Sequence, residues 1–211
     1  MMPKKIYYEN AAKTIIKNLE KRQMKGFYVE DSKKALEKVL ELVPENASVG
    51  WGGSSTLKDT GILQAMNDGP YIVYDRKKAS TKEEQKDIYS KICGCDYYFT
   101  STNAITLDGE LVNIDCTGNR VAFLCFGPEN VIVVTGMNKV VTDVAAGIER
   151  TKNFAAPPNA VRLKRNTPCA VTGRCGECKS PDCLCAQTVV TSFSPAPGRI
   201  TVILVGEELG Y

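Results

Sequence analysis

Short apolar runs alternate with amphipathic segments along much of this sequence, and this alternation is the strongest constraint on its fold. Residues 47–51, 71–74 and 97–100 have the composition of buried strands, and the intervening residues 54–66 and 82–93 have the character of helices. Strands that alternate with helices form parallel sheets covered by helices on both faces. The sequence therefore predicts an α/β fold with three layers and a mostly parallel sheet.

Two further patterns extend this prediction. Asp108 and Gly109 separate two short apolar runs, which predicts a hairpin with a type I′ turn. A β-branched run over residues 131–135 predicts another buried strand, and apolar residues at helical spacing predict a helix that begins near Val140.

The Pro-Pro pair at residues 157–158 predicts the end of a helix and a boundary in the chain. We expect an α/β domain over residues 1–156 and an extension over residues 157–211 that packs on it. Two final strands, residues 188–193 and 199–205, are expected to pair with each other or to join the edge of a sheet.

The sequence contains no histidine, so no imidazole can ligate a metal or act as a general base. Serine and cysteine hydrolases of the triad type are therefore disfavoured. The 27 basic and 24 acidic side chains are too balanced to indicate nucleic-acid binding. No apolar run has the length of a membrane span or the character of a leader segment. We expect a cytoplasmic protein that binds neither nucleic acid nor membrane.

A glycine-rich turn follows the predicted strand at residues 47–51. Glycines let the backbone approach a ligand, and hydroxyls and amides at the start of a helix suit an anion. The turn lacks the ending of a Walker A loop and does not match a dinucleotide-binding fingerprint. A plain turn capped by a serine is the alternative. The candidate ligand-binding residues of this turn are Gly52, Gly53, Ser54, Ser55 and Thr56.

The same turn resembles the first loop of the fold superfamily of ribose-5-phosphate isomerase, glucosamine-6-phosphate isomerase and CoA-transferases. In that superfamily the loop holds phosphate or the pantetheine end of a thioester. Four further motifs are similar to the LUD-domain family, which is named for lactate utilisation: TNAITLDGELVNID at residues 102–115, GNR at 118–120, TGMNK at 135–139 and AAPP at 155–158. The resemblance runs from about residue 8 to residue 211, and it implies an isomerase/CoA-transferase-like α/β fold.

Polar residues near the carboxyl ends of the predicted strands form a second candidate set. Asp108, Glu110 and Lys139 are candidate catalytic residues, since they could transfer a proton next to a carbonyl without histidine. In the related isomerases an Asp-Gly element contacts substrate, and in the CoA-transferases a glutamate is the nucleophile, so the resemblance points to Asp108 and Glu110. In the alternative interpretation Asp108 only forms a turn and Asn119 only caps a helix. The further candidate ligand-binding residues are Asn103, Asn119, Arg120 and Gly136.

Five cysteines lie within 17 residues in the pattern C-x5-C-x2-C-x4-C-x-C. Glycines and prolines between them allow a loop to wrap around one centre. Nine cysteines in total, an odd number, indicate a reducing compartment. We predict that the loop ligates a metal through Cys169, Cys175, Cys178, Cys183 and Cys185, of which the resemblance matches all but Cys183 best.

Thiolate ligands select zinc or an iron–sulfur cluster. The start of the loop differs by one residue from the C-x4-C-x2-C pattern of plant ferredoxins, and a compact single loop is more typical of a cluster than of a zinc ribbon. An iron–sulfur cluster of the 4Fe–4S type is therefore favoured, with zinc as the alternative and metal-free thiols or a redox disulfide as a third interpretation. The remaining cysteines are expected to be buried packing residues: Cys93, Cys95, Cys116 and Cys125.

Three functions follow from these patterns. The first is an accessory protein of lactate or other organic-acid metabolism that binds a small organic acid, phosphate or thioester and carries a metal centre, with a redox partner protein if the centre is a cluster. The second is a sugar-phosphate isomerase- or CoA-transferase-like enzyme with a structural metal. The third is a non-catalytic ligand-sensing module. A homo-oligomer is compatible with all three.

Overall fold

The fold is built on a six-stranded sheet in which all neighbouring strands are parallel. The structure is a computed structural model and describes residues 2–211. This sheet confirms the predicted α/β architecture. In order across the sheet, the strands are β1 (Lys25–Val29), β10 (Ile200–Val205), β7 (Asn130–Gly136), β4 (Tyr97–Thr100), β2 (Ser48–Trp51) and β3 (Ile72–Tyr74).

Helices cover both faces of the sheet, so the predicted three layers are also confirmed. The side chains of β7 alternate between the two cores: Val131 and Val133 face one, and Ile132 and Val134 face the other. Within residues 2–211, no helix combines the length and the apolar character needed to cross a membrane. The helices are α1 (Pro3–Lys21), α2 (Ser32–Leu42), α3 (Ser55–Asp59), α4 (Ile62–Asp68), α5 (Lys82–Cys93), α6 (Asn119–Cys125), α7 (Val144–Arg150), α8 (Ala156–Arg162) and α9 (Pro168–Thr172).

A second sheet of four strands contains the predicted hairpin. Its strands, in order, are β8 (Val140–Val141), β5 (Ala104–Thr106), β6 (Leu111–Asp115) and β9 (Gln187–Thr191). The turn between β5 and β6 is not of type I′, which requires a positive φ at both central residues, because only Gly109 of the Asp108-Gly109 pair has one (+87°). The Gly109 N–H instead donates to the Thr106 carbonyl at 2.9 Å, which closes a longer, bulged loop.

The two C-terminal strands do not pair with each other. Strand β9 joins the edge of the second sheet beside β6, whereas β10 lies inside the main sheet between β1 and β7. Every residue of β10 is buried, and such a continuous apolar run is typical of an inner parallel strand. The predicted extension over residues 157–211 therefore contributes a central strand to the α/β sheet.

Three predicted helix boundaries were wrong. The prolines at residues 157–158 begin α8 directly after a π-helical turn, Thr151–Ala155, because the first helical turn does not use the N–H that proline lacks. The helix predicted over residues 54–66 is divided into α3 and α4 at Gly61, whose φ is +72°. Val140 belongs to β8 rather than to a helix because it pairs with β5.

The position of β10 predicts unequal roles for the two C-terminal strands. Val202→Ala in β10 should lower the free energy of unfolding by roughly 2 kcal/mol, because it leaves a cavity in a fully buried site. The matched substitution Val190→Ala, in the partly exposed β9, should cost less than about 1 kcal/mol. Urea denaturation of the two variants measures the difference, and equal losses would contradict a central β10.

Candidate functional site

The carboxyl ends of β2, β4 and β7 meet at one edge of the sheet and form a crevice with the segments that follow them. Strands β2 and β4 are neighbours, and so are β4 and β7. Thr56 follows β2, Ser101 follows β4, and Lys139 follows β7 in a short 3-10 turn, Met137–Lys139. The topology thus joins three sequence segments that lie far apart in the chain.

Lys139 is the most unusual residue of this crevice. Its side chain is 4% exposed, and its Nζ donates to Thr56 Oγ1 at 2.9 Å and to Ser101 Oγ at 3.2 Å. No ion pair among residues 2–211 includes Lys139. Burial, followed by the charges of Arg150 and Arg120, lowers the pKa of Lys139 from 10.5 to about 7. Near neutral pH this amine is therefore divided between its charged and neutral forms.

The chain after β10 covers the crevice. The Leu209 N–H donates to Asn138 Oδ1 at 3.2 Å, and the Leu209 carbonyl accepts from Thr56 Oγ1 at 3.5 Å. A Cβ at Gly210 would lie 2.7 Å from Thr56 Oγ1 and 3.5 Å from the amine of Lys139. Sequence reasoning missed this cover, since residues 206–211 carry no recognisable motif.

The glycine turn lies beside the crevice, at the end of β2. A Cβ at Gly52 would lie 2.7 Å from Tyr98 Oη, and a Cβ at Gly53 would lie 3.0 Å from Arg76 Nη2. Gly52 therefore needs glycine for close packing, whereas at Gly53 the flexible Arg76 side chain could move aside. Ser54 caps α3 by accepting from the Leu57 N–H at 3.2 Å, while Ser55 and Thr56 are the first residues of α3. The serine-capped turn that was the alternative interpretation is therefore present. Arg76, which the sequence did not indicate, lies against this turn.

The guanidinium of Arg120 is fully engaged within the protein. Its five N–H bonds are matched by five acceptors, so none remains for a ligand. The strongest contacts are the ion pair with Asp115 at 3.1 Å and the hydrogen bond to Asn113 Oδ1 at 2.6 Å. Arg120 also donates to Asn103 Oδ1 at 3.0 Å and to the carbonyls of Ser101 and Ile114. Arg120 thus fixes Asn103 and the segment after β4. The structure therefore brings two of the predicted ligand-binding residues, Arg120 and Asn103, into direct contact.

Asp108 and Glu110 are held at the end of α1 rather than against Lys139. The Asp108 carbonyl accepts from Arg22 Nε at 2.7 Å, and the Glu110 carboxylate lies 3.6 Å from Arg22 Nη2. Thr106 Oγ1 also donates to Glu110 at 3.2 Å. No hydrogen bond among residues 2–211 joins either carboxylate to Lys139, so the structure does not bring the three predicted catalytic residues together.

The last two candidates occupy structural positions. Asn119 is the first residue of α6 and follows Gly118, whose φ is +88°. Gly136 ends β7, and a Cβ there would overlap Asn138 Oδ1 and approach the Glu207 carbonyl to 2.6 Å. The absence of a side chain at Gly136 therefore allows residues 206–211 to pack over the crevice.

The five cysteines of the loop surround one cavity of about 210 Å³. Residues that precede the loop contact it at three points. In the π-helical turn, Asn153 Oδ1 accepts from the Cys175 N–H at 3.1 Å and Lys152 Nζ lies 3.8 Å from the Glu177 carboxylate. Between α8 and α9, Arg165 lies 3.3 Å from the Asp182 carboxylate. All five thiols are free and half-buried: Cys169, Cys175, Cys178, Cys183 and Cys185.

The thiols are close enough to influence one another but do not converge on one point. Burial, and then the neighbouring Cys183, Cys175, Cys169 and Cys178, raise the pKa of Cys185 to about 12. Within residues 2–211, no group of three or more His, Cys, Asp or Glu side chains has the geometry to hold a metal ion. The loop therefore presents thiols around a cavity rather than a preformed site for one ion.

The other four cysteines differ in their surroundings. Cys95 is buried as predicted, and burial raises its pKa to about 12. Cys125 is exposed, so its prediction as a buried packing residue was wrong, because it ends the short helix α6. Cys93 and Cys116 are half-buried, and Cys116 Sγ lies 3.4 Å from the Cys183 carbonyl, beside the cysteine loop.

Comparison with known proteins gives one family and one similar fold. The LUD domain family matches residues 12–205 of this chain. A crystal structure of a DUF162 family protein from Deinococcus radiodurans is similar with a TM-score of 0.56 and 13% identity, covering 94% of this chain and 98% of that one. A ribose 5-phosphate isomerase from Plasmodium falciparum has a TM-score of 0.34 and 16% identity over 53% of this chain and 52% of that one. No curated protein sequence matches this chain.

The buried amine predicts a specific dependence of stability on pH. The unfolded chain keeps a proton on Lys139 up to about pH 10.5, whereas the folded protein releases it near pH 7. The free energy of unfolding should therefore rise by up to a few kcal/mol between these pH values, relative to a variant without the amine. Denaturation of the wild type and Lys139→Met across this range measures the effect.

The exposed Lys13 of α1 provides the matched control, and Lys13→Met should follow the wild-type curve. If the wild type and Lys139→Met have parallel curves between pH 7 and pH 10.5, the amine is not buried and neutral in the folded protein.

Proposed function

The chain belongs to the LUD-domain family, and on this premise we propose that it is an accessory redox protein of lactate or related organic-acid metabolism. It binds a small anion in the crevice around Lys139 and holds an iron–sulfur cluster in the cysteine loop. The observation that carries this proposal is the arrangement of five cysteines around a single cavity.

The donor set and its spacing favour a cluster over a zinc ion. The sulfurs around one zinc lie within about 4 Å of one another, because each Zn–S bond is about 2.3 Å long. In a 4Fe–4S cluster each thiolate binds a different iron, so the sulfurs lie farther apart. Five thiols that line one cavity of about 210 Å³, with no nitrogen ligand in the chain, suit this larger all-thiolate centre. When bound, the cluster would supply one-electron transfer.

Cys169, Cys175, Cys178 and Cys185 are the proposed ligands, with Cys183 as the substitute. The raised pKa of Cys185 opposes thiolate formation in the metal-free loop. A bound metal would reverse this effect, since it stabilises the thiolate directly. The Cys185 N–H lies 3.3 Å from Cys183 Sγ, so Cys183 is adjacent to the proposed ligands.

The surroundings of Lys139 support anion binding. Two hydroxyls accept two of the three N–H bonds of the ammonium group, which leaves the third for a ligand. The charges of Arg120 and Arg150 favour an anion in the crevice. The hydroxyls of Thr56 and Ser101 are uncharged, so they do not neutralise the positive charge of the Lys139 ammonium group. Because residues 206–211 cover the amine, this segment must shift when the anion enters.

One observation favours a second function, that of an isomerase-like enzyme. A lysine whose pKa is about 7 is suited to accept and return a proton near neutral pH. In this case Lys139 would be the general base without Asp108 or Glu110. Exchange of the methyl protons of pyruvate in deuterated water, lost in Lys139→Met, would identify this activity.

The cluster is tested by purification without oxygen. The protein should contain iron and acid-labile sulfide and absorb visible light, and serine substitution of any proposed ligand should lower the iron content. Cys93→Ser, a half-buried thiol outside the loop, is the matched control and should leave the iron content unchanged.

If the purified protein contains zinc but no iron, the loop holds zinc and the proposed cluster is wrong. Protein that contains neither metal after anaerobic purification would contradict the proposal. The remaining interpretation would then be a loop of metal-free thiols.

Anion binding is tested with four probes: lactate, pyruvate, inorganic phosphate and coenzyme A. At least one should raise the melting temperature of the wild type, with an affinity that falls as the pH rises through about 7, because the amine loses its charge there. Lys139→Met should lose this binding, whereas Lys13→Met should retain it. A probe that binds both variants equally does not use the crevice, and no stabilisation by any probe would contradict the proposed site.

A further inference from the structure

The elements around the cysteine cavity expose an unusual number of apolar side chains. Phe154 in the π-helical turn is 71% exposed, and Val171 in α9 is 85% exposed. Val161 in α8 and Leu163 just after it are also exposed. Helices α8 and α9 pack together, and Lys152 and Ala156 line the cavity beside the cysteines. Exposed apolar groups concentrated in this way mark interaction sites.

The same elements carry the positive charge of the protein. Residues 151–185 contain six basic and two acidic side chains, whereas the rest of the sequence contains 21 and 22. The two acidic side chains already pair with Lys152 and Arg165. The basic residues outside these pairs are exposed: Arg162, Lys164, Arg174 and Lys179. We call these four residues, together with the four exposed apolar residues, the cysteine-loop face.

We propose that the cysteine-loop face docks a small acidic electron-transfer protein, an inference that rests on the proposed cluster. The electron would pass from the reduced centre of the partner to the cluster, and no bond would form or break. The thiols are half-buried, and several residues of the face are next to cavity-lining residues in the sequence, such as Arg174 beside Cys175 and Lys179 beside Cys178. A centre held by these thiols would therefore lie close to a docked partner.

The charge and composition of the cysteine-loop face favour an acidic protein over a second copy of this chain and over a single-stranded nucleic acid. A second copy of the chain would bring two identical basic faces together across a twofold axis, and their charges would repel. A single-stranded nucleic acid would need several aromatic side chains for stacking, whereas Phe154 is the only aromatic residue between residues 151 and 185. Weak redox complexes use small interfaces that charge complementarity steers, and a few apolar contacts within a basic rim suit such an interface.

The test measures binding of an oxidised acidic [2Fe–2S] ferredoxin by titration calorimetry. At about 10 mM ionic strength the two proteins should bind, and the affinity should fall about tenfold or more at about 0.15 M salt, because screening shortens the reach of the charges. The triple variant Lys164→Glu/Arg174→Glu/Lys179→Glu should bind about tenfold or more weakly at low salt. Phe154→Ser should weaken binding without changing its dependence on salt.

A matched control carries the same change of charge elsewhere. Lys13→Glu/Lys17→Glu/Lys33→Glu reverses three exposed lysines of α1 and α2 and should bind like the wild type. Equal losses in the two triple variants would show that only net charge matters and would overturn the proposed face. Failure to bind the ferredoxin at low salt would also overturn it.

Further probes separate the competing partners and the two proposals. Tighter binding to phosphatidylserine vesicles, to single-stranded RNA or to a basic cytochrome c would overturn the acidic protein as partner. Iron and sulfide are measured on the same samples. Ferredoxin binding by iron-free protein would support the face and contradict the cluster, whereas an intact cluster without binding would contradict the face alone.

Discussion

The insertion of β10 between β1 and β7 is the constraint on which the rest of the structure depends. Hydrogen bonds to both neighbours and burial on both faces fix this strand in the middle of the main sheet. Its direction then sends residues 206–211 across the carboxyl ends of the strands, over Lys139. The strand that completes the sheet therefore also determines how the crevice is closed, so the stability of the fold and access to the candidate site are linked.

A single helical segment connects the crevice with the cysteine loop. Arg150, at the end of α7, donates to the Asn103 carbonyl at 2.8 Å on the crevice side. Three residues later, in the π-helical turn, Asn153 holds the Cys175 N–H. The π-helical turn adds a residue to the usual helical turn, and such turns are frequent at functional sites. Movement of this segment would reach both places, which gives the proposed anion site and the proposed cluster a physical connection.

The sequence predicted best what depends on local pattern. Helix α5 and strand β4 have the predicted bounds, since each has a clear pattern and a clear end. Lys139 was predicted as a catalytic residue from the sequence, but its burial depends on three segments that meet only in the folded sheet. Arg76 and residues 206–211 were missed for the same reason: their importance lies in what they contact, and a single sequence does not show contacts. The prolines at 157–158 were wrongly predicted to end a helix, because a π-helical turn comes directly before them and they lie in the first turn of α8.

The central place of β10 also constrains how the molecule reaches its native state. During synthesis β1 and β7 leave the ribosome before β10. Strand β7 can already pair with β4, but one of its edges stays unpaired, and β1 has no native neighbour at all, until residues 200–205 emerge. Sheets that depend on pairing between distant segments fold slowly, and unpaired apolar strand edges are prone to associate with other chains. The nascent chain would therefore spend its most aggregation-prone period just before β10 appears, and chaperone binding would matter most at that stage.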